Sequence, residues 1–179
     1  MKSNELAEIL NGCIKNNRDS QKAFYNFFYS KLMTISMRYS SSDEHAKKIL
    51  DEGFLNIFED INFKNNFDDP INWVKQKFIK HCINHLKKDL EIPITVTAIT
   101  KLEEIDFENL EIEPKVLIKQ LQGLNTLERI VFNLKVFEEF FVEEISKILN
   151  ISKSDVNLIF ENSKASLTEK LKHFSLNFV

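Results

Sequence analysis

Almost nothing in this chain interrupts a helix. Three glycines and three prolines are spread over 179 residues, so long unbroken helices are expected. Apolar residues also recur at the three- and four-residue steps of an amphipathic helix. Leu6, Ile9, Leu10 and Cys13 make one stripe in 5–15, and Phe24, Phe27, Phe28, Leu32 and Ile35 make another in 20–38. Ser41 and Ser42 are cap candidates for a third helix, with Asp43 and Glu44 at its positive end. Its stripe is Ala46, Ile49, Leu50, Phe54, Ile57 and Phe58. "NFKNNFDDP" then breaks the pattern, and a fourth helix runs from about Ile71 to Lys88.

The segment "IPITVTAIT" is β-branched, but a lone strand has no partner, so it reads as extended linker. Residues 90–114 hold one lysine against seven acids, a net −6 in a chain of net −3, so the acidity is local. Helical patterns resume at 115–122, 126–138 and 142–149. A last one over 153–172 repeats Val156, Phe160, Ser163, Leu167 and Leu171 on one side. The expected fold is all-α. Two helical domains, 1–89 and 115–179, are joined by the acidic linker 90–114.

No apolar run approaches the roughly 18 residues of a membrane span, and the N-terminus lacks the pattern of a signal peptide. Cys13 and Cys82 sit in amphipathic stretches and read as buried free thiols. A cytoplasmic protein without membrane insertion is expected. No nucleophile–base pair, glycine-rich phosphate loop or carboxylate dyad stands out, so neither an enzyme nor a cofactor is expected. His81 and His85 have the i, i+4 spacing of a zinc motif, but Cys82 follows His81 where that motif has its glutamate. Spacing offers no third ligand, so no metal site is expected.

On the fourth helix, Phe78, Ile79, Cys82, Ile83 and Leu86 share one side. Trp73, Lys77, Lys80, His81, Asn84, Lys87 and Lys88 share the other. Lysines that pair with phosphates beside a ring that stacks on a base make a single-strand surface. The plainer reading is a solvated lysine face with Trp73 tucked against a neighbouring loop.

"ISKSDVNLIFENSKASL" reads as the turn and second helix of a helix-turn-helix. Ser152 and Asp155 form a capping-box pattern that starts the helix near Lys153. Asn157, Leu158, Glu161, Asn162, Ala165 and Thr168 are expected outward. Ser152, Lys153 and Ser154 are placed to hold phosphates at the helix start, and Asn157 to read an adenine edge. With no cation at the centre of that face, duplex binding is expected to be weak.

Taken in order, these pieces resemble an RNA polymerase sigma factor of the extracytoplasmic-function group, over nearly the whole chain. "CIKNNRDSQKAFYNFFYSKLMTISMRYS" is similar to the start of the family's first conserved domain. "AKKILDEGFLNIFEDI" is similar to its clamp-gripping segment, and "NWVKQKFIKHCINHLKK" to its promoter-melting helix. "LIKQLQGLNTLERIVFNLKVFEEFFVEEISKILNISKSDV" is similar to the C-terminal domain that binds the upstream promoter element. The resemblance implies binding to core RNA polymerase through Asp51, Glu52, Phe54 and Ile57. It implies that the fourth helix and the loop before it engage the melted promoter, and that the acidic linker threads toward the active-site cleft. An anti-sigma factor is the inhibitory partner it suggests, and it implies no catalysis.

The chain departs from the family pattern at several positions. His45, Lys47 and Lys48 stand where acids are usual, Asp51 where glutamine is, Gln76 where arginine is, and Lys80 where asparagine is. Asn150 replaces the usual turn glycine, and Lys164 alone remains of the basic run on the recognition helix. Three readings follow: a divergent sigma factor, a degenerate sigma-like protein-interaction module with weak or no DNA binding, and a helical protein with no transcription role.

Overall fold

The computed structural model describes residues 3–61, 69–88, 90 and 113–175. It is all-α, with no strand among the described residues. The chain divides into two compact units, Met1–Lys87 and Lys88–Val179. The expected extended linker over "IPITVTAIT" and nearly all of the acidic segment 90–114 lie outside the described residues, as does most of the loop before the fourth helix.

The first unit has four helices: α1 (Ser3–Ile14), α2 (Arg18–Tyr39), α3 (Asp43–Ile61) and α4 (Pro70–Lys87). Their starts follow from capping chemistry. Asn17 Oδ1 accepts from the Ser20 amide at 2.9 Å, and Ser42 Oγ accepts from the His45 amide at 3.1 Å. Asp69 Oδ1 accepts from the Asn72 amide at 3.0 Å, and Pro70, which has no amide proton to lose, is the first residue of α4. Phenylalanines fill the interior. Phe24 lies 4.6 Å from Phe28, 5.3 Å from Phe58 and 6.3 Å from Phe54, centroid to centroid. Ser36, fully buried on α2, donates its hydroxyl to the carbonyl of Ala46 on α3. Cys13 and Cys82 are buried free thiols.

Gly53 sets how closely α3 and α4 approach. A β-carbon there would stand 2.4 and 2.7 Å from ring carbons of the fully buried Phe78. Only a hydrogen fits.

The second unit holds α5 (Pro114–Gln122), α6 (Thr126–Phe132), α7 (Val142–Leu149) and α8 (Lys153–Ser175). Leu121, Leu124, Phe132 and Leu167 form one buried cluster, flanked by Leu117, Phe137 and Phe160. Arg129 is buried, and its guanidinium donates to the carbonyls of Gln122 (3.2 Å) and Leu124 (2.7 Å) at the end of α5. Burial pushes its pKa down to about 10, which still leaves it charged at neutral pH.

Two expectations are corrected in this unit. The single helix over 126–138 ends as α6 at Phe132 and continues as a π-helical turn, Asn133–Phe137. Buried Asn133 donates its side-chain amide to the Arg129 carbonyl at 2.8 Å, and a side chain bonding into the ladder lets it widen. Asn162 and Thr168, expected outward, are buried at 7% and 3% exposure. The cause is that α8 packs against α5, α6 and α7 together, so its buried arc is wider than one stripe.

Candidate nucleic-acid interface

The outward face of α4 forms as its periodicity requires. Val74, Phe78, Ile79, Cys82, Ile83 and Leu86 are buried, and Lys80 and Asn84 are exposed, as is Lys88 just past the end of the helix. Trp73, Lys77 and Lys87 are half-buried. Lys77 Nζ lies 5.8 Å from the centroid of the Trp73 ring and 2.8 Å from Asp60 Oδ2 on α3. Part of the charge expected for phosphates is therefore already met by an acid.

That ion pair is one step of a regular ladder. Asn56 Nδ2 lies 2.7 Å from His81 Nδ1, and Glu52 Oε2 lies 2.9 Å from His85 Nδ1. Each step moves four residues forward on α4 and four back on α3, as antiparallel helices of equal pitch require. Beyond the last step, His45 Nε2 sits 3.2 Å from His85 Nε2, and His45 Nδ1 sits 3.1 Å from Ser41 Oγ. Glu52, His81 and His85 offer ligand atoms that all lie within 4.8 Å of one another. A third group that spacing along α4 could not supply, Glu52, is offered by α3. The only sequence signal was Asn56 and Glu52 set four apart, opposite His81 and His85 set four apart.

The residues expected to grip polymerase separate into two groups. Phe54 and Ile57 are 3% and 2% exposed and belong to the core, with Phe54 4.5 Å from the Tyr25 ring, so neither can touch a partner directly. Asp51 is exposed, and Glu52 is turned toward His85. The apolar side chain that α3 does expose is Leu55, at 63%, which sequence reasoning passed over.

In the second unit, the three residues 150–152 separate α7 from α8. Asn150 takes the left-handed conformation at φ 56°, ψ 47° where the turn needs it. The capping box is present: Ser152 Oγ accepts from the Asp155 amide (3.0 Å), and Asp155 Oδ2 accepts from the Ser152 amide (3.3 Å) and hydroxyl (2.7 Å). Ser152, Lys153, Ser154 and Asn157 are exposed as expected. Their phosphate-holding chemistry is not free, however. The Asp155 carboxylate sits at the helix start, and Lys153 Nζ bonds Glu143 Oε1 at 2.6 Å. Lys164 Nζ lies 3.0 Å from Glu161 Oε2 and 5.5 Å from the centroid of Phe160. Each lysine expected on this surface has an acidic partner of its own.

No protein-family model matches the chain, and no characterised protein matches it in sequence. None of the described helices is long and apolar enough to cross a membrane.

Proposed function

We propose that this protein is a non-enzymatic transcription initiation factor of the extracytoplasmic-function sigma kind, acting in the cytoplasm on core RNA polymerase and promoter DNA. The observation that carries this reading is the outer face of α4, where Lys80 and Asn84 are exposed on the side that also carries Trp73. Cations pair with phosphates, and an indole gives an unstacked base a surface. The helix-turn-helix of α7 and α8 adds support, because such a motif docks on duplex DNA. An anti-sigma protein is the regulator this reading brings with it.

A second reading is favoured by the second unit. The pairs Lys153–Glu143 and Lys164–Glu161, with Asp155 at the start of α8, leave little net positive charge for phosphates. Such a surface suits a protein partner better than a duplex, which makes the chain a sigma-like interaction module.

The test is co-migration of the full chain with core RNA polymerase, followed by promoter-directed transcription. Binding with transcription supports the first reading, and binding without transcription supports the second. Lys48→Asp is expected to strengthen the polymerase contact, because Lys48 is exposed on α3 and opposes a basic clamp. Absence of binding at micromolar protein for both chains overturns both readings. For the α4 face, Trp73→Ala is expected to cost about 1–3 kcal/mol of single-strand affinity. Lys80→Ala is expected to flatten the salt dependence by about one phosphate contact. Single-strand affinity that ignores both substitutions in folded protein removes the face from the reading.

A further inference from the structure

We propose that the seam between α3 and α4 binds one divalent transition-metal ion, of the zinc class, through Glu52, His81 and His85. His81 and His85 stand one turn apart on α4, so both imidazoles project to the same side. Glu52 reaches the same point from α3, and the three ligand atoms lie within 4.8 Å of one another. His85 Nδ1 and Glu52 Oε2 are 2.9 Å apart. Bonds of about 2.0–2.2 Å in a tetrahedral site set ligand separations of about 3.3–3.5 Å, so this pair opens by only a few tenths of an ångström to admit an ion.

The donor set decides the class of ion. Two imidazoles and one carboxylate suit zinc, cobalt, nickel or copper, whereas magnesium and calcium want oxygen donors. Three protein ligands leave a fourth position for solvent. The seam is accessible enough for this: the Glu52 side chain is 40% exposed, while that of His85 is held at 11%.

Further groups steady the rings. Asn56 Nδ2 lies 2.7 Å from His81 Nδ1, and with that amide turned about its last bond Oδ1 accepts the Nδ1–H of a ligating His81; His45 Nε2 lies 3.2 Å from His85 Nε2. Partners on the outer nitrogens are what ligating histidines use to hold tautomer and orientation. When the ion takes Nδ1 of His85, the outer nitrogen of that ring is Nε2, which faces His45. His45 Nδ1 in turn lies 3.1 Å from the Ser41 hydroxyl and 3.4 Å from the Ser41 amide nitrogen. The ion ties the middle of α3 to the last half of α4, so it stabilises the folded chain by mass action.

The experiment titrates the full chain with Co²⁺ and follows visible absorption, then measures thermal unfolding with Zn²⁺. One Co²⁺ per chain is expected, with the bands of a nitrogen and oxygen donor set and a melting temperature that rises with Zn²⁺. Glu52→Gln is expected to weaken Co²⁺ binding by more than about 10–100-fold, the typical cost of losing even a partner that only supports a ligand. The double variant His81→Gln, His85→Gln is expected to abolish binding, with circular dichroism showing that it still folds. Wild-type protein that takes up no Co²⁺ at micromolar concentration overturns the proposal. So does a thiolate charge-transfer band, which would assign the ion to Cys13 or Cys82, and so does uptake undiminished in the double variant. Should that variant fail to fold, the wild-type spectrum decides alone.

Discussion

Lys153, the first residue of α8, bonds Glu143, in the first turn of α7, at 2.6 Å, so the cation at the start of α8 is held by the helix before it. The Lys153 hydrogen bond is the main reason the Glu143 carboxyl lies below the usual glutamate range. Because its folded value is depressed, the contact is present above the ordinary carboxylate range and is lost as pH falls through the lowered value. Both side chains are more than half exposed, so little global stability depends on it.

Glu143→Gln is expected to raise duplex affinity and to steepen its salt dependence by about one phosphate contact, because Lys153 is released to the phosphates. Fluorescence anisotropy over a salt series reads both. An unchanged slope would mean that Lys153 does not face the duplex.

Gly53→Ala is expected to destabilise the protein by about 1–3 kcal/mol, the usual cost of overpacking a filled interior. The added carbon meets the Phe78 ring at 2.4 Å and His81 Cδ2 at 3.1 Å, so the same change displaces a ladder histidine. Urea denaturation gives the stability. A loss under about 0.5 kcal/mol would show that Phe78 yields instead.

Asn150 occupies left-handed backbone at φ 56°, where asparagine and glycine are tolerated and β-branched residues are not. Asn150→Val is expected to cost about 1–2 kcal/mol. Asn150→Gly is expected to keep the turn, with both changes read by thermal unfolding. Equal stability of the two variants would contradict the strain argument.

Burial raises the Cys13 thiol from its ordinary 9.0 to about 11. The folded state keeps a proton that the unfolded chain releases, so the contribution is complete below pH 9 and fades as pH rises toward about 11. Stability measured across that interval is expected to fall less steeply in Cys13→Ala than in the parent. Parallel slopes would place the alkaline loss elsewhere.

Helix content and most helix starts were legible in the sequence because they rest on local chemistry. Pro70 stands one residue ahead of the expected start near Ile71, and Ser42 and Ser152 cap the helices expected to follow them, Ser152 with Asp155 as its reciprocal partner. The α7 bounds coincide with the expected 142–149. One-sided stripes were also legible wherever a helix packs on one side, as with Phe78, Cys82 and Leu86.

What a single strand of text cannot hold is which helices converge and in what register. Asn162 and Thr168 are buried because α8 meets three other helices, a fact that no period within α8 encodes. Lys153 and Lys164 read as available cations until Glu143 and Glu161 stand beside them. The closest case is the α3–α4 seam. The sequence alone determined that His81 and His85 share a helix face, since one helical turn separates them. Only the packing of two antiparallel helices, drawn close by Gly53, decided that Asn56 and Glu52 would face them, because side chains from separate segments meet only once the backbones that carry them have packed.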